Sequence, residues 1–374
     1  MNPYDFARVD WSRPPERRKP VWHHRLGASD GPRLFSGQIE MDLYAETPLF
    51  LPARNASSDP KKPDLFLQNA QGQYIIPGSS LKGMLHTVVE TLGNGCFTLF
   101  DGDYEQQGGR TLAPYKEKIK KEFLHCEKNT ELCIACRLFG MLKERTNGIF
   151  LGKVNISDAC TDEEHIHQHD PVYTDTLVGP KPHHRAFYLD EREQYIAGRK
   201  FYFHQHELNT ASGHIHFSRT VVANRYIRPL DAETCFHFRV HFTNLEEDEF
   251  GALLLALTLE EEMRHKIGYG KPVGLGSVCL VPTRLVMVDY TTRYTQARGE
   301  STVTLEGNDT WQAIYQHVDT FNEKHLVPAA MDDLRRIWRW PPDPDVDYYY
   351  PSKRDWFDTD ESIGKRIAHT RNTL

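Results

Sequence analysis

The sequence predicts an α+β fold, because segments with the two-residue period of strands and segments with the helical period both occur along it. The clearest strand is Phe236–Phe242, where apolar residues alternate with histidine and arginine. The clearest helix is Leu81–Leu92, where apolar residues recur three and four positions apart. With 374 residues, 39% of them hydrophobic and 26% charged, the chain can form one elaborated globular domain or two.

Composition narrows the classes of protein that remain. No run of about 18 apolar residues occurs, so we expect no membrane span. The first six residues contain no apolar segment of the kind found in secretory signals. Seven cysteines, three of them closely spaced, favour a reducing compartment and a metal site over a disulfide framework. We therefore expect a cytoplasmic protein.

The charge is unevenly distributed. The net charge of −7 disfavours nucleic acid as a partner of the whole surface. However, residues 181–229 contain eight basic and four acidic residues, and this segment can form a basic face.

The chain begins with an arm at 1–33, rich in Pro, Arg and His, whose tryptophans are expected to pack on the body or on a neighbour. Alternation over Phe35–Leu43 predicts a half-buried strand. A polar loop at 53–63 follows, with Asp59 in it and Asp64 beside it. Loops of this length between strands are often functional, although ordinary turn chemistry is the commoner role of a loop aspartate.

Residues 75–83, with the sequence Ile-Ile-Pro-Gly-Ser-Ser-Leu-Lys-Gly, lead into the Leu81–Leu92 helix. Ser79 or Ser80 fits the N-cap, and Lys82 adds a charge in the first turn. The free N–H groups of such a helix start, together with Lys82, predict a phosphate-binding arrangement. The alternative is a plain helix cap with a solvated lysine.

Three cysteines lie within one short irregular segment, Cys126, Cys133 and Cys136, and the last two form a C-x2-C pair. This spacing predicts a closed, structural zinc site rather than a catalytic one. The fourth ligand stays open at this point. The candidates are Cys96, His125, His165, His167 and His169.

The segment 160–230 is rich in loops and basic residues, with predicted strands at 185–189, 200–204 and 214–217. Its aromatic residues interleave with cations such as Arg199 and Lys200, which suits stacking of bases and neutralisation of phosphates in single-stranded nucleic acid. Alternatively, these rings form the core of a β-rich subdomain.

The predicted helix Phe250–Lys266 leads into a glycine-rich loop at 268–277, and a strand follows at Val278–Val288. The loop is neither a Walker motif nor a dinucleotide fingerprint, because its glycines have the wrong spacing and no Gly-Lys-Ser/Thr ends it. Its backbone can lie close to a ligand beside Lys266 and Lys271. One helix is expected within 310–340, in a peripheral C-terminal extension.

Three motifs in this order carry a family resemblance: residues 76–83 (IPGSSLKG), residues 136–140 (CRLFG) and residues 268–277 (GYGKPVGLGS). Over roughly residues 34–290 the chain resembles the RAMP superfamily of CRISPR-associated proteins. The resemblance is strongest to the backbone subunits of type III effectors, especially the III-D-like branch that carries a zinc knuckle. Residues 198–204 (GRKFYFH) also resemble that branch.

The resemblance implies a modified RRM or ferredoxin-like core, β-α-β-β-α-β, over residues 34–290. A zinc-knuckle insertion at about 93–140 and a basic, β-rich thumb insertion at about 160–230 would interrupt this core. The arm at 1–33 and the extension at 291–374 would flank it.

The resemblance also implies a function: a guide-RNA (crRNA)-binding backbone subunit of an RNA-targeting antiviral ribonucleoprotein. Such subunits polymerise along the guide and engage target RNA, and their partners are copies of themselves, other effector subunits and in some complexes a separate nuclease. The residues predicted to bind RNA are Ser79, Ser80, Lys82, His183, His184, Arg199, Lys200, Lys266 and Lys271.

In many type III backbone subunits, a loop aspartate cuts target RNA with a divalent metal ion. Asp64 lies nearest the matching position and Asp59 next, so Mg²⁺-dependent endoribonuclease activity is the alternative to a scaffold role. Trimming of guide RNA by His183 or His184 is a further enzymatic alternative. A zinc-stabilised RNA-binding module outside CRISPR is a third hypothesis.

Overall fold

We analysed the fold in a computed structural model of the chain. The structure describes residues 2–22, 33–53, 62–98, 116–143, 148–162, 166–174, 177, 188–206, 208, 225–296, 301–348 and 350.

The helices are α1 (Gly78–Leu92), α2 (Ile134–Phe139), α3 (Glu247–Thr258), α4 (Tyr290–Thr295), α5 (Asn308–Lys324) and α6 (Pro328–Ile337). The strands are β1 (Tyr4–Ala7), β2 (Phe35–Ala45), β3 (Ile75–Ile76), β4 (Gly140–Lys143), β5 (Gly148–Leu151), β6 (Val154–Ile156), β7 (Ala159–Cys160), β8 (Val172–Tyr173), β9 (Arg199–Tyr202), β10 (Tyr226–Ile227), β11 (Cys235–Leu245), β12 (His265–Lys266), β13 (Ser277–Val288) and β14 (Thr302–Glu306).

One antiparallel sheet organises the protein. Its central strands lie in the order β13–β2–β11–β6, and β12 and β14 extend it by pairing with β13. Along the chain, α1 lies between β2 and β6, and α3 lies between β11 and β13. This is the β-α-β-β-α-β connectivity and the 4-1-3-2 strand order of a ferredoxin-like fold. The predicted α+β class and core are confirmed.

Every second side chain along the central strands is buried and contributes to the hydrophobic core. In β11 the residues Phe236, Phe238 and Val240 are buried, while His237, Arg239 and His241 are exposed. The buried faces of α1 and α3 join the same hydrophobic core as these side chains. The polar residues of β2 and β11 therefore line the opposite, outer face of the sheet.

Two predicted helices have the wrong bounds. The helix expected to reach Lys266 ends at Thr258, because Leu259 adopts a left-handed φ of 53°. His265 and Lys266 instead form β12 against β13. The single helix expected within 310–340 is two helices, α5 and α6, and Pro328 begins the second.

The N-terminal arm packs on the body of the same chain. β1 pairs with β9, so that Tyr4 faces Tyr202. The indole of Trp11 stacks on Tyr195, with ring centroids 4.9 Å apart. The predicted strand at 200–204 corresponds to β9, whereas the one at 214–217 lies outside the described residues. Among the described helices, none combines the length and the hydropathy that crossing a bilayer requires.

Candidate nucleic-acid interface and metal-binding cluster

Four cysteine sulfurs come together between the end of α1 and the start of α2. Cys133 and Cys136 lie at the beginning of α2, and Cys96 and Cys126 precede it. All four side chains are buried, and their sulfurs lie within 4.8 Å of one another. From the Cys96 sulfur, the sulfurs of Cys136, Cys133 and Cys126 lie 3.6, 3.7 and 3.9 Å away.

These distances fit a tetrahedral metal ion. With zinc–sulfur bonds of about 2.3 Å, the sulfurs of a tetrahedral site lie about 3.8 Å apart. The cluster can therefore bind a metal such as zinc, and Cys96 completes the set of four sulfurs. Of the other candidates for the fourth ligand, His125, His167 and His169 do not belong to the cluster, and His165 lies outside the described residues.

A buried ion-pair network lies directly behind the cysteine cluster. Arg137 follows Cys136, and its side chain is 1% exposed. Its guanidinium donates to Glu249 at 2.7 Å and to Asp248 at 2.6 Å, both in the first turn of α3. Lys153 binds the second oxygen of Glu249 at 2.7 Å. The network ties the cysteine segment to a core helix, which gives the arginine of the CRLFG motif a structural role.

The second site is a groove of about 540 Å³ between α1, β9 and the glycine-rich loop. We call it the lysine groove, because Lys200, Lys266 and Lys271 line it, together with Ser80. Tyr202 and Tyr269 are half-buried and also line it. Four residues predicted separately to bind RNA therefore meet at one surface.

Burial lowers the pKa of all three groove lysines, because a desolvated ammonium group loses its hydration. The pKa is about 8 for Lys200 and about 7 for Lys266, and it is also lowered for Lys271. Backbone carbonyl groups replace part of the lost hydration. Lys266 donates to the Leu275 carbonyl at 3.1 Å, and Lys271 donates to the Gly268 carbonyl at 2.8 Å. Lys200 lies 3.7 Å from the ring centroid of Tyr4.

The glycine-rich loop holds Lys271 in a short 3₁₀ turn, Lys271–Val273. Gly270 and Gly274 flank this turn with φ values of 73° and 102°, in the left-handed region that favours glycine. The loop therefore depends on glycine for its path along the groove.

The start of α1 differs from the prediction. The helix begins at Gly78, after Pro77, and no side chain of its own caps it, so the predicted N-cap at Ser79 or Ser80 is wrong. Instead the carboxylate of Asp158 accepts the Gly78 N–H at 2.8 Å. Asp158 is 80 residues away in sequence, so local pattern gave no sign of it.

Ser79 and Lys82, the other predicted RNA-binding residues at the start of α1, lie apart from the lysine groove. Ser79 is exposed and does not line it. Lys82 is half-buried, and burial lowers the pKa of its ammonium group. It does not line the groove either.

The guanidinium group of Arg199 is held by hydrogen bonds to other residues of the chain. Its guanidinium donates to Glu90 at 2.9 Å and to the carbonyls of Gly95 and Cys96 at 2.8 and 3.0 Å. Its side chain is 9% exposed. Arg199 thus links β9 to the cysteine segment rather than facing the groove.

Asp64 lies in an ion pair with Arg225, whose Nη2 and Nε are 2.6 and 2.9 Å from Asp64 Oδ2. Arg225 also lies over the ring of Tyr269, 5.0 Å from its centroid, so Asp64 connects indirectly to the edge of the lysine groove. Asp59, His183 and His184 lie outside the described residues.

The structure defines an α+β protein with a ferredoxin-like sheet, a groove lined by three lysines and a cluster of four cysteines. The family model of the RAMP superfamily matches residues 42–279. The chain belongs to the RAMP superfamily, and with it to the CRISPR-associated proteins that bind RNA and act in RNA–protein complexes. No curated protein matches the chain.

Proposed function

We propose that this protein is a crRNA-binding backbone subunit of a type III, RNA-targeting antiviral effector complex. It polymerises along the guide in the cytoplasm, engages target RNA and contacts other effector subunits. The observation that carries the proposal is the meeting of Ser80, Lys200, Lys266 and Lys271 at one groove in a chain of the RAMP superfamily.

The lysine groove suits a single-stranded phosphate backbone. Desolvated ammonium groups attract phosphate more strongly than hydrated ones, because the local dielectric is lower. The half-buried rings of Tyr202 and Tyr269 offer faces on which bases can stack. Contacts of this kind bind RNA regardless of its sequence, as a subunit that holds varied guides requires.

We further propose that Cys96, Cys126, Cys133 and Cys136 hold a structural zinc ion. The burial of all four sulfurs favours a closed site over a catalytic one, because a catalytic zinc needs an open coordination position. Bound zinc would contribute to the folding of the segment around α2.

The experiment is to purify the protein from cells that carry a CRISPR array and to sequence the RNA that co-elutes. We expect a discrete small RNA containing repeat-derived sequence. In vitro, replacing Lys200, Lys266 and Lys271 by Gln should weaken binding of any single-stranded RNA. The slope of log affinity against log salt should fall by about 0.7 for each lost phosphate contact.

Lys128→Gln is the matched control, because Lys128 is 67% exposed and does not line the groove. It should leave affinity and salt slope unchanged. Equal RNA retention by the triple variant and wild type would contradict the proposed interface. Binding without any repeat-derived RNA would favour an RNA-binding role outside CRISPR.

Cutting of target RNA at Asp64 or Asp59 is the alternative function. The ion pair between Asp64 and Arg225 favours the scaffold role, because a carboxylate already bound by a guanidinium is less available to Mg²⁺. The assembled complex should be incubated with complementary RNA and Mg²⁺, using wild type, Asp59→Ala and Asp64→Ala. Cleavage that Asp64→Ala or Asp59→Ala abolishes would establish this chain as the nuclease.

A further inference from the structure

The outer face of the central sheet carries a second group of metal-ligating side chains. Asp42 on β2 lies directly opposite His237 on β11. Cys235 precedes His237 by two residues on the same strand, so its side chain lies on the same face. This face is the one that α1 and α3 do not cover, and the four-cysteine cluster lies elsewhere, around α2.

The three donor groups converge. His237 Nδ1 lies 2.7 Å from Asp42 Oδ1, and His237 Nε2 lies 4.0 Å from the sulfur of Cys235. One ligand atom from each residue lies within 4.8 Å of the other two. Asp162 adds a carboxylate oxygen 3.7 Å from His237 Nε2. An ion can bind only one nitrogen of His237, and the mutual distances of at most 4.8 Å place the carboxylate and the thiolate near that same nitrogen.

We propose that Asp42, Cys235 and His237 bind a divalent transition-metal ion of the zinc class. A thiolate, an imidazole and a carboxylate together form a donor set typical of zinc, whereas magnesium and calcium prefer oxygen ligands alone. Three protein ligands leave one tetrahedral position for an exchangeable group. The site thus differs in kind from the four-cysteine cluster, whose sulfurs fill every position.

The site is reached from solution. The side chain of His237 is 45% exposed and that of Asp42 is 19% exposed. Both line an open polar groove of about 450 Å³ on the sheet face, together with Arg239 and His241. An ion held there exchanges with solvent and with chelators faster than one enclosed by four buried cysteines.

The test is the number of zinc ions per chain, measured by elemental analysis after the full-length protein is equilibrated with zinc and gel-filtered. We expect two ions per chain for wild type, and one fewer for His237→Ala and for Cys235→Ser. A short treatment with a mild chelator should remove this ion from wild type first.

His241→Ala is the matched control, because His241 lies on the same strand and lines the same groove but is not one of the three ligands. It should retain the wild-type zinc content, and circular dichroism should confirm that each variant is folded. Equal zinc content in wild type and His237→Ala would overturn the proposal, as would an equal loss in His241→Ala. The readout is a difference between variants, so it stands apart from whether the four-cysteine cluster binds zinc.

Discussion

Replacing Arg137 by Ala should destabilise the protein strongly. Arg137 binds two carboxylates, and all three side chains are at most 7% exposed. Its removal leaves Glu249 with Lys153 as its remaining cation, and leaves Asp248 with Arg18. Breaking a buried ion pair costs about 3–5 kcal/mol when the other charge is left uncompensated, so the two remaining cations place the expected loss near the lower end of this range.

The expected loss is large compared with a typical stability of about 5–15 kcal/mol. Arg335→Ala provides the matched control. Arg335 binds Glu260 through two hydrogen bonds of 2.7 Å, a geometry as close as that of Arg137. However, these two side chains are 48% and 40% exposed, so solvent screens the pair. Its loss should cost less than about 1 kcal/mol.

The assay is urea unfolding followed by tryptophan fluorescence, with zinc present throughout. The midpoint for Arg137→Ala should fall well below that of wild type, and that for Arg335→Ala should stay close to it. Added salt should narrow the difference only for Arg335→Ala, because buried pairs are screened less. A shift for Arg137→Ala no larger than that for Arg335→Ala would refute the reasoning.

Three further predictions concern the metal cluster, the groove and α1. Cys133→Ser should release the metal that we propose the four-cysteine cluster binds and lower the unfolding temperature, as elemental analysis and calorimetry would reveal; unchanged metal content would contradict it. The pKa of Lys266 is about 7, and a bound phosphate favours the protonated form of this lysine. RNA affinity should therefore fall as the pH rises above 7, and this one group can account for at most about tenfold per pH unit. In binding titrations, Lys266→Arg should remove that contribution. A Cβ at Gly78 would lie 2.2 Å from the Ile156 carbonyl, so Gly78→Ala should cost about 1–3 kcal/mol in denaturation. Gly83→Ala meets nothing within 4 Å and should gain up to about 1 kcal/mol.

Sequence pattern predicted the elements whose periodicity is long and regular. The strand at Phe236–Phe242 and the helix at Leu81–Leu92 both exist, with bounds extended by a few residues. The C-x2-C pair indicated the four-cysteine cluster, because two cysteines at this spacing can bind the same metal ion. Cys96 joins them from 30 residues before Cys126, so spacing alone did not single it out. Ser80 and Gly83 of the motif at 76–83 line the lysine groove together with part of the glycine-rich loop at 268–277. That these segments hold guide phosphates stays a prediction.

The features that the sequence could not predict depend on contacts between residues that lie far apart along the chain. The cap of α1 comes from Asp158, and the partner of Asp64 is Arg225, 161 residues away. The end of α3 was misplaced because the apolar period continues past Thr258, whereas pairing of β12 with β13 determines the actual path. In each case a distant segment decides the local structure, and no local signal records it.

The cysteine cluster and the lysine groove are mechanically connected, although they lie on different segments. Arg199 binds the carbonyls of Gly95 and Cys96, so it holds the chain at one of the four sulfurs. The next residue in β9, Lys200, lines the lysine groove. If the cluster binds a metal, as we propose, its loss would release Cys96 from its three partner sulfurs and loosen the carbonyls that anchor Arg199. Since Lys200 is fixed through the same strand, a metal bound by the four cysteines would position a cation that we propose binds RNA, without itself touching RNA.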